Sequence, residues 1–249
     1  MPPIPSNLST TQKEFVKLFR SLCYSRSAWT VWQNYIELTA ITIANNAGGG
    51  LFFSQDREDT FLKTIANYTP EEQSTIAEMT ATLIQSLDRS PQQDFLGSMF
   101  MALELGSNWH GQFFTPYNLC QAMADMVYHS TDSWQKFGDP TCGAGALLIA
   151  LRNKAAHDGK GYRDTFFIGQ DISPIAGMMC YIQLSLLGCA GYVCVADTLV
   201  NPCSNTLWPH RREGQEIWLT PMWFDDVWQA RMMKEIPHDR QTLKIHPQA

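Results

Sequence analysis

From Thr10 onward the apolar positions keep a helical spacing, with Phe15, Leu18, Phe19 and Leu22 following the cap candidates Ser9, Thr10 and Thr11. A second helix is expected over 28–45, with Trp29, Trp32 and Ile36 on one side and a stop at Gly48-Gly49-Gly50. Thr69-Pro70-Glu71-Glu72 reads as a capped start, with proline at the first helical position and acids in the first turn. Ser90-Pro91-Gln92-Gln93-Asp94 repeats that logic before a helix over 95–105. Residues 9–105 therefore read as a run of helices. Their aromatic stripe, at helical spacing, belongs to a core rather than to a base-stacking surface.

Past residue 105 the period changes. A helix over 117–129 is entered through Thr115-Pro116, and another is expected over 146–156. Strands then alternate with helices. The stretch before Asp139 is poor in β-branched residues, 165–171 is a better strand, 174–187 a helix rich in Met and Leu, and 191–195 a third strand. Residues 216–219 give a fourth strand and 225–235 a last helix, with a loop of about twenty residues over 198–215 ahead of the fourth strand. This alternation implies an α/β fold with a parallel sheet and ligands at the carboxyl ends of its strands. The expected organisation is a helical N-terminal region (1–105), a cofactor-binding domain (106–236) and a polar tail (237–249).

Composition narrows the class. At 249 residues, 45% hydrophobic and 17% charged, the chain is an ordinary globular protein. No apolar run reaches the roughly 18 residues that span a bilayer. The start, Met1-Pro2-Pro3-Ile4-Pro5, lacks the basic-then-apolar layout of a signal peptide, so a cytoplasmic location is expected. The seven cysteines are scattered, form no Cys-x-x-Cys pair and read as reduced core thiols with no metal role. The net charge of −6 does not suit a stand-alone DNA binder. Cations gather only at Arg211-Arg212 and among Arg231, Lys234, Arg240 and Lys244, so any phosphate-binding surface is local or supplied by a partner.

The chemistry centres on two elements. Gly111-Gln112-Phe113-Phe114-Thr115-Pro116 is followed 23 residues later by Asp139-Pro140-Thr141-Cys142-Gly143-Ala144-Gly145. The second has the shape of a strand–turn–helix nucleotide corner, in which glycines let the backbone approach a ligand and the new helix presents unpaired N–H groups. Asp139, Asp171 and Asp197 fall at three successive expected strand ends. Asp171 is placed to accept ribose hydroxyls, as acids in dinucleotide folds are. The plainer reading, that such acids cap turns, stays open beside it. Cys142 reads as a small filler of the turn.

The pair of elements resembles the modification subunits of type I restriction systems, amino-adenine DNA methyltransferases, over roughly residues 93–225. The resemblance implies a shortened Rossmann-like S-adenosylmethionine-dependent methyltransferase sheet behind a helical region. It also implies S-adenosylmethionine as cofactor, DNA as substrate, and a separate specificity or methyltransferase subunit as partner. By the same resemblance Phe114, Thr115 and Pro116, with Asp139, Thr141, Gly143 and Gly145, hold the cofactor's methionine, and Asp197 takes the adenine amino group.

One element of the family departs. Its fourth motif, Asn-Pro-Pro followed by an aromatic residue, accepts both N6 hydrogens of a flipped-out adenine, and no such run occurs here. The nearest candidate is Thr220-Pro221-Met222-Trp223, after the fourth expected strand; Asn201-Pro202-Cys203 lacks the aromatic residue. Losing one preorganised polar contact costs roughly 3–4 kcal/mol. Two readings follow. Either the chain is an adenine-N6 DNA methyltransferase of a restriction or mobile-element system that holds the base with residues 220–223. Or it is an inactive relative that binds cofactor, DNA or a methyltransferase partner as a regulator.

Overall fold

The computed structural model describes residues 8–105 and 113–235. Helix starts are set by side chains that accept otherwise unpaired N–H groups. Ser9 and Gln12 form a reciprocal capping box at α1 (Thr10–Leu22). Ser27 caps α2 (Ala28–Asn46), which ends in a 3-10 turn over Ala47–Gly50. Then follow α3 (Gln55–Ile65) and α4 (Pro70–Arg89), the latter opened by a Thr69–Glu72 box. The helix expected over 95–105 is shorter, α5 (Phe95–Ala102), and Asp94 rather than Ser90 caps it, because the Asp94 carboxylate reaches the Gly97 amide at 2.9 Å.

The aromatic stripe is core. Phe15 meets Tyr35 and Phe95 edge-on at centroid distances of 5.5 and 5.2 Å, and Phe15, Phe19, Trp32 and Tyr35 are all buried. That core continues without a break into the second half of the chain, where α8 lies against α2 and α5.

The second half builds α6 (Tyr117–Val127), β1 (Gln135–Asp139), α7 (Ala146–His157), β2 (Thr165–Asp171), α8 (Pro174–Leu186), β3 (Ala190–Val195), β4 (Glu216–Leu219) and α9 (Asp226–Glu235). The architecture is α/β, with a shortened Rossmann-like β1-α7-β2-α8-β3 unit at its centre. Phe167, Val193 and Trp218 face the core shared with α7 and α8, whereas Phe166, Ile168 and Tyr192 meet Leu207 of the 198–215 loop and Trp228 of α9. Among the described residues no helix is long and apolar enough to cross a membrane.

The sheet order is β1-β2-β3-β4. The first two pairings are parallel, but β4 runs antiparallel to β3, so the expectation of a wholly parallel sheet fails at its last strand. The reason lies in the preceding loop. The buried Gln215 donates to Asn201 O and Pro202 O, which folds residues 201–215 back on themselves. Glu216 consequently starts opposite Val195, where β3 stops. A strand that starts where its neighbour ends must run the other way. Arg57 of α3 then covers the outer side of β4, donating to Ile217 O at 2.9 Å and stacking 4.0 Å over the Trp218 ring.

This reversal carries Thr220 to the amino end of β3. Its hydroxyl accepts the Gly191 amide and donates to the Gly191 carbonyl, both at 3.0 Å, and the residue is fully buried. Thr220→Val removes both bonds and strands a buried backbone N–H, so it is expected to cost about 1–3 kcal/mol in denaturant melts while leaving ligand affinity unchanged.

Candidate cofactor site

The carboxyl ends of the three parallel strands converge on the turn after β1. Cys142 N–H donates to Gln170 O at 2.8 Å, which seats this turn against the end of β2. Gly143 (φ 53°) and Gly145 (φ 94°) adopt left-handed conformations that favour glycine. Gly145 is the N-cap of α7 and has no side chain with which to cap it, so the first amides of that helix face the mouth of the sheet. A Cβ at Gly143 would stand 3.0 Å from the Phe114 ring, which places Phe114 directly over the turn. Thr115 and Pro116 follow it on the surface and lead into α6. Gly111 and Gln112 lie outside the described residues.

Each strand-end aspartate makes the same local bond. Asp139 accepts the Thr141 amide at 3.0 Å, Asp171 the Ser173 amide at 2.8 Å, and Asp197 the Leu199 amide at 2.8 Å. The turn-capping role is therefore real, and it engages one oxygen of each acid. The second oxygen of Asp171 accepts Gly143 N–H at 2.9 Å, tying β2 to the glycine turn. Thr198 Oγ1 donates to Pro140 O, which joins the loop after β3 to the same turn. Among the described residues nothing donates to Oδ2 of Asp139 or of Asp197. Burial raises the Asp139 carboxyl above its ordinary value, opposed by the Thr141 amide, and the nearby charge of Asp171 raises it further. Neighbouring Cys180, followed by burial, pushes the Cys142 thiol well up, so it is a poor nucleophile that fills the turn.

Phe114, Thr115, Pro116, Asp139, Thr141, Gly143, Gly145, Asp171 and Asp197 are thus gathered at one end of the sheet. Thr220, Pro221, Met222 and Trp223 are not. They follow β4 to the opposite end, where Trp223 is buried and its Nε1 donates to Leu207 O at 3.1 Å. Asn201-Pro202-Cys203 lies on the mouth side, bonded to the Gln170 side chain, but the Asn201 amide is used on Glu213 O and Gln215. Sequence reasoning passed over Ile172, which is 66% exposed directly after Asp171. The signal was available: an apolar residue at a strand end, beside an acid, has no core to enter.

The donor set suits a cationic ligand rich in hydroxyl and amino groups: carboxylate oxygens with spare lone pairs, a helix N-terminus and a close backbone approach. S-adenosylmethionine carries all of those groups. The cradle depends on its glycines. A Cβ at position 145 would lie 2.8 Å from Cys180 Sγ in a left-handed conformation, so Gly145→Ala is expected to cost about 1–3 kcal/mol in thermal or denaturant unfolding.

Residues 95–248 match the family model of N-6 DNA methylases. The methylase subunit of the type I restriction enzyme MjaIX from Methanocaldococcus jannaschii is 26% identical over 104 residues, 42% of this chain and 18% of that subunit. The match therefore spans less than a fifth of the relative's length, 18%. A crystal structure of a putative class I S-adenosylmethionine-dependent methyltransferase from Listeria monocytogenes superposes with a TM-score of 0.44 at 14% identity, covering 90% of this chain and 69% of that one. With more than half of its length matched, the chain belongs to the N-6 DNA methylase family, with S-adenosylmethionine as its cofactor.

Proposed function

We propose that the chain binds S-adenosylmethionine as a component of adenine-N6 methylation of DNA, in a cytoplasmic restriction-modification or mobile-element system. In that system it is a partner subunit or regulator, and another chain supplies the base pocket. The observation that carries this reading is the antiparallel β4, which takes residues 220–223 away from the cofactor mouth and commits the Thr220 hydroxyl to Gly191. Arg211 and Arg212, exposed on the loop that leaves the mouth, support a local contact with phosphate. Leu119, Met123, Met126 and Val127 recur along α6 and are exposed, a surface of the kind that a partner chain covers. The similar protein from Methanocaldococcus jannaschii is itself named as a subunit.

A second reading, methylation by this chain alone, is favoured by the convergence of Asp139, Asp171 and Asp197 at the mouth. Single-molecule sequencing of genomic DNA from a methylation-deficient host expressing the chain separates the two. The expected outcome is no added N6-methyladenine, from protein that binds S-adenosylmethionine by calorimetry and loses that binding in Asp139→Ala. N6-methyladenine at a definable site, lost in a folded Thr220→Ala variant, would overturn the partner reading. Unchanged affinity in Asp139→Ala would remove that residue from the cofactor site.

A further inference from the structure

Along β2 the side chains alternate between the two faces of the sheet, Phe167 toward α7 and α8, Phe166 and Ile168 toward the 198–215 loop and α9. At the end of the strand the same alternation sends Asp171 to the first face and Gln170 to the second. Asp171 holds the glycine turn through Gly143 N–H. Gln170 is 1% exposed, and a polar side chain in an apolar strand is costly unless it is bonded. Its Nε2 donates to Ala196 O at 3.1 Å and to Asn201 O at 3.0 Å, and its Oε1 accepts Cys203 N–H at 2.8 Å. Both N–H donors of the amide are thereby used.

These bonds fasten the two ends of residues 196–203 to one side chain. Asp197 sits between the fastened ends. Its carbonyl accepts Asn201 N–H at 2.7 Å and its Oδ1 accepts Leu199 N–H at 2.8 Å, so the acid and its loop form one unit. Leu199 and Val200 are exposed, which leaves directional bonds rather than apolar packing to hold that unit. Gln215 shares Asn201 O from outside the loop, whereas Gln170 also reaches Ala196 O, the residue directly before the acid. Hydrogen bonds weaken steeply as their angle departs from linear, so the reach of Asp197 Oδ2 depends on where Gln170 keeps the loop.

Resting on the cofactor reading above, we propose that Gln170 is the positioning residue that aims Asp197 at the 6-amino group of the cofactor's purine, and so sets a preference for an aminopurine over an oxopurine. An ionised carboxylate only accepts hydrogen bonds; it favours an amino group and opposes a carbonyl oxygen. One strand end then serves the site twice, Asp171 through the glycine turn and Gln170 through the loop after β3.

The test is calorimetric titration of the full chain with S-adenosylhomocysteine and with S-inosylhomocysteine, which carries an oxygen in place of the 6-amino group. Wild-type protein is expected to bind the inosine compound about tenfold to hundredfold more weakly, the range of a hydrogen bond to a charged group. Gln170→Met, close in size but without the amide, should lose affinity for the adenosine compound and bring the ratio of the two near one. Asp197→Asn, whose amide can serve either purine, should do the same. Should Gln170→Met not fold, Cys203→Pro removes only the N–H that Gln170 Oε1 accepts and is expected to lower the ratio. A folded variant of Gln170, or in its place Cys203→Pro, that keeps the wild-type ratio overturns the proposal. Equal loss of affinity for both compounds also overturns it, since a purely structural role would do that, as does wild-type protein that binds both alike. Wild-type protein that binds neither compound refutes the cofactor reading itself.

Discussion

The side chain of Gln183 is fully buried, and its amide joins two parts of the chain with different secondary structure. Its oxygen accepts Leu96 N–H at 3.0 Å, at the start of α5, while its nitrogen donates to Asp94 and to Ala144 O in the glycine turn. A buried polar group left unpaired costs about 1–3 kcal/mol, so all three partners must be present together. The helical region is thereby fixed against the cofactor corner by a directional bond as well as by apolar packing. The position of α5 decides where Asp94 stands, and α8 links that position to the glycine turn.

A second constraint comes from the order of the strands. In doubly wound sheets the ligand crevice lies where the strand order reverses. Here the order runs from β1 to β4 without reversal, and β1 is an edge strand among the described residues. The mouth is walled by other means: Phe114 on one side, the bond from Thr198 to Pro140 on the other, and Asp171 holding the glycine turn between them. Among the described residues no further strand pairs beside β1, because β4 joins β3 and runs in the opposite direction.

Charge fits the same picture. Asp139 and Asp171 are near enough for one to raise the pKa of the other, which makes the mouth hospitable to a cation. That field repels phosphate, and the net charge of −6 does nothing to offset it.

Much of this was legible in the residues because the signals are local. Ser9 and Thr69 open helices through bonds to their own next turns, and the limits of β2 and β4 follow from short-range pattern. The three aspartates and two glycines at the carboxyl end of the sheet are likewise each set by the few residues around them, which is why their convergence was foreseeable once a parallel βαβ order was read. What sequence left undetermined depends on distant partners. The direction of β4 was settled by Gln215 folding its loop back on Asn201, and with it the fate of Thr220. The burial of Asp94 against Gln183, 89 residues away, came only with the folded chain. Side-chain pattern fixes a strand's faces and ends, but its direction relative to a neighbour, and the burial of a carboxylate, belong to contacts that form only when the chain is folded.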